Sequence, residues 1–321
     1  MSQQLLIDKA LKIKSRTDNI EGNYSPEKMV LYDDFTGIAL DAERWVFAGN
    51  NGGTEAITAG TNGTVTLTTS TSDNDRSIIA SPLNFLCAKN PVIEACFKVS
   101  AATTVGINFG FSDATTEGDN VLAMELAAGA LVNAKATDCV GFVFDTDDTY
   151  DHWYYGATKA DTEGTPALAN ATAWITSATN NATNPFSYPA TPGSTTVTAT
   201  AAGSIYIDLP TGCTGTFTDG TGTFTGSVIS LTAGRNTVVC TAAGTGTLVW
   251  GYTPGTSNMV YRVALDTLGN ANFYINGNFV GRKAACITTT APLCIFLGVI
   301  SRAGSAARVL TVDYIKAWQD R

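Results

Sequence analysis

Histidine is nearly absent: His152 is the only one in 321 residues. Charge is scarce as well, with Asp, Glu, Lys and Arg together at 15% against about 25% in ordinary soluble proteins. Basic residues number 19 and acidic residues 28, leaving a net charge of −9. Nucleic-acid phosphates are held by clustered Lys and Arg, and the one local cluster is Lys9, Lys12, Lys14 and Arg16, so no nucleic-acid partner is expected. No apolar run approaches the ~18 residues of a membrane span, so no membrane partner is expected either. The opening Met1-Ser2-Gln3-Gln4-Leu5-Leu6-Ile7-Asp8-Lys9 has three apolar residues before a charge, which does not read as a secretory leader.

Cysteine is present without a pattern. Cys87, Cys96, Cys139, Cys213, Cys240, Cys286 and Cys294 are odd in number, and none is spaced as CxxC or as a zinc knuckle. Most sit in apolar company, as in Phe85-Leu86-Cys87 and Leu293-Cys294-Ile295. Buried free cysteine packs as a small hydrophobe, so reduced thiols in a cytoplasmically folded chain are expected. A Cys213–Cys240 disulfide is the main exception to consider.

What is abundant is apolar surface, at 44% of residues, set among Thr, Ala, Gly, Ser and Asn. Alternation with period two marks half-buried strands. It appears in Thr64–Thr69, Val92–Val99, Thr104–Phe111 and Cys139–Phe144. Turn residues separate the runs: Asn50-Asn51-Gly52-Gly53, Asn62-Gly63 and Asp145-Thr146-Asp147-Asp148. Strands are also expected at Tyr261–Asp266, Asn272–Asn276, Ile295–Ile300 and Val309–Trp318. The nearly continuous apolar run Ile295–Ile300 should lie at the centre of a sheet. Many short strands at regular spacing predict an all-β sandwich rather than βαβ units.

Two segments stand apart. Residues 1–28 carry five of the basic residues and end near Pro26. They read as an N-terminal arm, either frayed or ordered against a neighbouring subunit. Residues 190–253 hold only Asp208, Asp219 and Arg235 as charges and follow Pro185, Pro189 and Pro192. Short strands at Ser204–Leu209, Val228–Leu231, Thr237–Thr241 and Thr247–Trp250 make this a small β-domain inserted into the sandwich, since long unstructured loops are uncommon. The sandwich itself is expected from 29–160 and 256–321.

Candidate chemistry is sparse. His152, in Tyr150-Asp151-His152-Trp153-Tyr154-Tyr155, would need a nucleophile and an orienting acid to act in a triad. Asp151 is adjacent and in a strand would face the other way, so a packed or interfacial histidine is expected. The acidic turn Asp145–Asp148 offers oxygen ligands for Ca²⁺ but lacks the EF-hand pattern and its glycine, and reads as a solvated turn. Tyr150, Trp153, Tyr154 and Tyr155 read as core or interface, with sugar stacking the alternative. No catalytic, cofactor-binding or metal-ligating residue is assigned.

Two passages resemble the concanavalin-A-like lectin/glucanase superfamily, which includes laminin-G-type modules. The first is Asp33-Asp34-Phe35 with Leu40-Asp41 and Arg44-Trp45. The second is Phe273-Tyr274-Ile275-Asn276-Gly277 with the closing Val312-Asp313-Tyr314-Ile315-Lys316-Ala317-Trp318. The resemblance implies a jelly-roll β-sandwich. Glycosidases of that superfamily carry a Glu-x-Asp-x-x-Glu strand, whose alternation aims the acids into a cleft. The spacing is missing here. Glu94 is followed by Ala95 and Cys96, Asp119 and Glu125 are too far apart, and Glu163 stands in a loop-like stretch. Glycoside hydrolysis is therefore only a remote alternative.

Gly106–Asp113, Gly141–Asp147 and Gly298–Arg302 are similar to passages in structural proteins of tailed phages. The stretches Leu209-Pro210-Thr211-Gly212 and Leu231–Val238 look like small Ig-like phage modules. This narrower resemblance implies a non-enzymatic virion component, a capsid decoration or cement protein assembled in the host cytoplasm. It would contact the major capsid protein and copies of itself, as a homo-oligomer. A receptor- or glycan-binding fibre or tail adhesin is the alternative, with a surface glycan as partner.

Overall fold

The computed structural model describes residues 28–58, 63–132, 135–148, 151–169, 174–177, 194–303 and 306–321. The expected arm lies outside them except for Lys28, which opens the first strand, Lys28–Asp33.

Two eight-stranded antiparallel sheets face each other. One holds both terminal strands and is called the terminal sheet. Its order is Asn278–Lys283, Ala271–Ile275, Met259–Leu265, Val92–Val99, Val309–Asp320, Thr64–Thr68, Thr54–Thr58. The long strand Val309–Asp320 pairs with Thr64–Thr68 along its first part and with Lys28–Asp33 along its second. The other, glycine-rich sheet runs Thr162–Glu163, Tyr154–Lys159, Cys139–Asp145, Val105–Ser112, Cys294–Ser301, Arg76–Ala80, Val46–Gly49, with Ala167–Leu168 also on Tyr154–Lys159. The apolar run predicted to be central is so: Cys294–Ser301 has a partner on each side.

Alternation supplies the core between the layers. Ile93, Ala95, Phe97 and Val99 meet Val105, Ile107, Phe109 and Phe111 there, all at most 1% exposed. Phe97 stacks on Tyr261 (4.3 Å) and meets Phe109 and Trp153 edge-on, the offset and T-shaped geometries that ring quadrupoles favour. The opening motif closes one corner. Asp33 accepts the Phe35 amide (2.9 Å) and the Trp45 indole N–H (2.8 Å), and both rings are buried.

Two smaller sheets are built from residues 174–252. Trp174–Ser177, Gly203–Leu209 and Gly234–Cys240 form one; Ser194–Ala199, Gly244–Tyr252, Cys213–Asp219 and Val228–Leu231 form the other. Cys213–Asp219 and Ser194–Ala199 are additions to the expected strands, and Trp174–Ser177 lies upstream of residue 190. These sheets meet the sandwich through backbone hydrogen bonds from Trp153 N to Tyr252 O (2.7 Å) and from Tyr252 N to Ala169 O (3.2 Å).

None of the seven cysteines is in a disulfide. Cys213 and Cys240 do not pair, and the Cys240 thiol lies 3.2 Å from Ala201 O and 3.3 Å from Gly203 O.

Candidate functional site

The central strands of the glycine-rich sheet are buried on both faces. Its second face presents Gly106, Asn108, Gly110 and Ser112, then Cys139, Gly141, Val143 and Asp145, then Cys294, Phe296, Gly298 and Ile300, every one buried. The cover is residues 113–132 and 135–138, which fold across it as a strap holding the hairpin Glu125–Ala127 and Ala130–Val132. Met124, Leu126, Leu131 and Ala136 pack on Cys139, Val143, Tyr154 and Leu168. Leu122 and Ala123 pack on Ile78, Phe296 and Ile300.

Glycine makes the close approach possible. A Cβ on Gly156 would stand 2.5 Å from Leu131 Cδ1, and one on Gly298 would stand 2.8 Å from Leu122 Cδ2. Polar pegs register the strap: Asn108 Oδ1 accepts the Met124 amide (3.2 Å), and Asn108 Nδ2 donates to Phe142 O (2.7 Å).

Arg302 holds the carboxylates of Asp145 and Glu125 under the strap. Arg302, only 7% exposed, donates to both oxygens of Asp145 (2.9 and 2.6 Å) and lies 3.2 Å from Glu125 and 3.5 Å from Asp147. Its guanidinium takes the place a cation would need at the turn Asp145–Asp148, whose Asp148 Oδ1 accepts the Gly129 amide (2.5 Å). The turn is therefore locked to Arg302 at Asp145, while Asp147 keeps the exposure expected of a solvated turn. Among the described residues no group of three or more His, Cys, Asp or Glu is arranged to hold a metal. Buried Arg76 donates to Glu117 O (3.1 Å). Burial raises the Glu117 carboxyl to about 7, while the amides of Lys135 and Ala136 and the charges of Lys135 and Arg76 pull it back down.

His152 is a packing residue at the join. Its Nε2 meets Thr214 O at 3.3 Å, and since a carbonyl only accepts, that nitrogen carries the proton. The ring is 7% exposed and a Cβ on Gly251 would touch it at 3.0 Å. Burial lowers its pKa. Asp151 and Asp148 line a groove beside it with Thr214, Thr216 and Thr218. Trp153, Tyr154 and Tyr155 are buried at 0%, 6% and 4% exposure, so these three are core and present no sugar platform. Tyr150 lies outside the described residues.

The open surface is the outward face of the terminal sheet. Register sets one transverse row across six strands: Phe279 opposite Tyr274, Tyr274 opposite Arg262, Arg262 opposite Glu94, Glu94 opposite Lys316, Lys316 opposite Tyr32. Five spacings of ~4.8 Å make it about 24 Å long. Glu94, 7% exposed, anchors the middle. Its Oε2 takes Arg262 Nε (2.8 Å) and Nη2, and its Oε1 takes the Tyr314 hydroxyl (3.1 Å). Burial, then the Glu94 charge, raises the Tyr314 pKa. Tyr274 meets Phe279 at 5.6 Å and Arg262 at 5.9 Å. Tyr314 meets Tyr32 at 6.5 Å, and Lys316 stands 4.9 Å over Trp318. Phe279 is 57% exposed and the Arg262 side chain 40%.

Sequence reasoning sought aromatics next to His152 and missed this row. Its members lie as far apart in sequence as Tyr32 and Lys316 and meet only through strand register. The signal that was available is alternation: Tyr314, Lys316 and Trp318 share one face of a strand whose other face, Ile315 and Ala317, is core.

No protein-family model matches the chain, and no curated protein matches it. Several solved structures are similar. The carbohydrate recognition domain of Emp47p is 10% identical, covers 92% of this chain and 96% of its own, and superposes with a TM-score of 0.47. A β-glucanase of Bacillus licheniformis is 9% identical over 91% of this chain and 98% of that one, TM-score 0.45. A protein of unknown function from Shewanella oneidensis MR-1, SO2946, is 10% identical over 100% and 95%, TM-score 0.44. The two facing eight-stranded sheets make the chain the all-β sandwich that the sequence predicts. Its strapped face and its open face are features of its own side chains.

Proposed function

We propose that the chain is a non-enzymatic adhesive protein, a structural component of a tailed-phage particle of the capsid-decoration type. One observation carries the non-enzymatic part. The second face of the glycine-rich sheet is filled by residues 113–132 and 135–138, and Asp145 and Glu125 there are bound to Arg302. General acid–base hydrolysis needs two carboxyls that reach the scissile bond. The virion role rests on the resemblance of Gly141–Asp147 and its companions. It is supported by a surface poor in charge and by seven cysteines that form no disulfide, which suit assembly in a reducing cytoplasm. The partners are the major capsid protein and further copies of this chain, whose repeated weak contacts add through multivalency. The small sheets of residues 174–252 form a module set beside the sandwich.

Imaging whole particles with this chain located in the density tests the reading. Regular arrays on the head are expected; absence from purified particles overturns it. Release of reducing ends from β-glucans by the purified chain would overturn the non-enzymatic part separately. A second reading, a glycan-binding adhesin, is favoured by the aromatic and cationic row on the terminal sheet.

A further inference from the structure

We infer that the row Phe279–Tyr274–Arg262–Glu94–Lys316–Tyr32 is a binding platform for an anionic glycan; this rests on the reading of the chain as an adhesive protein. Three features point to that ligand. Rings stand at both ends of the row, Phe279 and Tyr274 at one and Tyr32 with Tyr314 at the other. Tyrosine offers a rigid, amphipathic surface with a hydroxyl at its edge, suited to a pyranose face and its hydroxyls.

Between the rings are cationic donors. Arg262 uses Nε and Nη2 on Glu94, which leaves Nη1 for a ligand. Lys316 lies on the other side of Glu94, two strand spacings from Arg262, or about 10 Å. Glu94 and Arg262 balance each other's charge, so Arg262 offers a hydrogen-bond donor and Lys316 supplies the net positive charge of the row.

The third feature is sign. Outward positions of the four strands Val92–Val99, Met259–Leu265, Val309–Asp320 and Lys28–Asp33 carry Lys28, Lys98, Arg262 and Lys316 against Glu94, Asp313 and Asp320, a net of +1 (4 − 3). The whole chain carries −9. A polyanion is repelled by the molecule at large and drawn to this face, so attraction here is local. A protein partner fits less well, because interface centres are depleted of charge, and here the centre holds the Arg262–Glu94 ion pair with Lys316 on the next strand. The length of about 24 Å suits an extended chain of several sugar rings lying across the strands.

The experiment uses the full chain and polygalacturonate as the acidic probe, with dextran as the neutral one, in affinity electrophoresis and titration calorimetry. Binding to polygalacturonate that weakens with salt, and no binding to dextran, is expected. The paired change Tyr274→Ala with Phe279→Ala should weaken binding about tenfold or more. Lys316→Gln should weaken it several-fold and flatten the salt dependence. Near-UV circular dichroism confirms that these surface variants fold. Failure of the wild-type chain to bind polygalacturonate, equal binding to dextran, or variants that bind like wild type would each overturn the platform. Particle imaging and sugar-release assays judge the adhesive reading independently.

Discussion

Arg302 and Asp145 form a two-point ion pair at 2.9 and 2.6 Å, with side chains 7% and 1% exposed, at the edge of the strapped sheet. Glu125, on the strap, adds a second carboxylate at 3.2 Å. The guanidinium therefore bolts the strap's hairpin to a core strand. Removing one member of a buried pair leaves an uncompensated charge. Arg302→Met should cost about 3–5 kcal/mol, seen as a lowered denaturant midpoint. Amides of 125–132 should also lose hydrogen-exchange protection first. A variant as stable as the parent would show that the pair is dispensable.

Gly156 and Leu131 test the strap's closeness. Gly156→Ala places a methyl 2.5 Å from Leu131 Cδ1, an overpacking expected to cost about 1–3 kcal/mol. Leu131→Ala opens the space at its own cost of about 2–5 kcal/mol. The double variant should lose less than the two losses added, by about 1 kcal/mol, in thermal or chemical melts. Simple additivity would mean that the strap does not press on this glycine.

Glu117 gives the fold a pH dependence. Its carboxyl is raised by burial from 4.5 to about 7, so between those values the folded chain holds a proton the unfolded chain has lost. Its contribution to stability is greatest below about 4.5, falls as pH rises toward 7, and is level above. The slope is at most about 1.4 kcal/mol per pH unit. Glu117→Gln should remove it, gaining stability at pH 8 relative to pH 5 when compared with the parent in guanidinium titrations. Parallel pH profiles for parent and variant would refute this.

Thiol reactivity should separate the cysteines. Burial pushes Cys87, Cys96, Cys139 and Cys294 up to about 12 and half-buried Cys286 to about 11. The thiolate is the reactive form. With a disulfide reagent at pH 8, Cys286 should label before these four, which wait for unfolding. Mass spectrometry of the labelled peptides reads the order, and early labelling of Cys139 or Cys294 would contradict the strap's cover.

Much of this molecule is written in local pattern. Val92–Val99 and Cys139–Phe144 alternate because one residue in two must enter the core. Ile295–Ile300 is apolar throughout because it is covered on both sides. Asp33, Phe35 and Trp45 come close enough in sequence for their motif to be read directly. Those features determined the all-β class, the strands and the two-layer sandwich. Other features depended on distant segments meeting. Leu122, Met124 and Leu131 sit in an apolar stretch without strand-like alternation, and only the glycine-lined face of another segment makes them core. Arg302 turns an acidic turn into an ion lock from 157 residues away. The row from Phe279 to Tyr32 exists because antiparallel register aligns six strands. Alternation is a property of one strand, whereas register and cover are properties of several, and only the folded chain decided them.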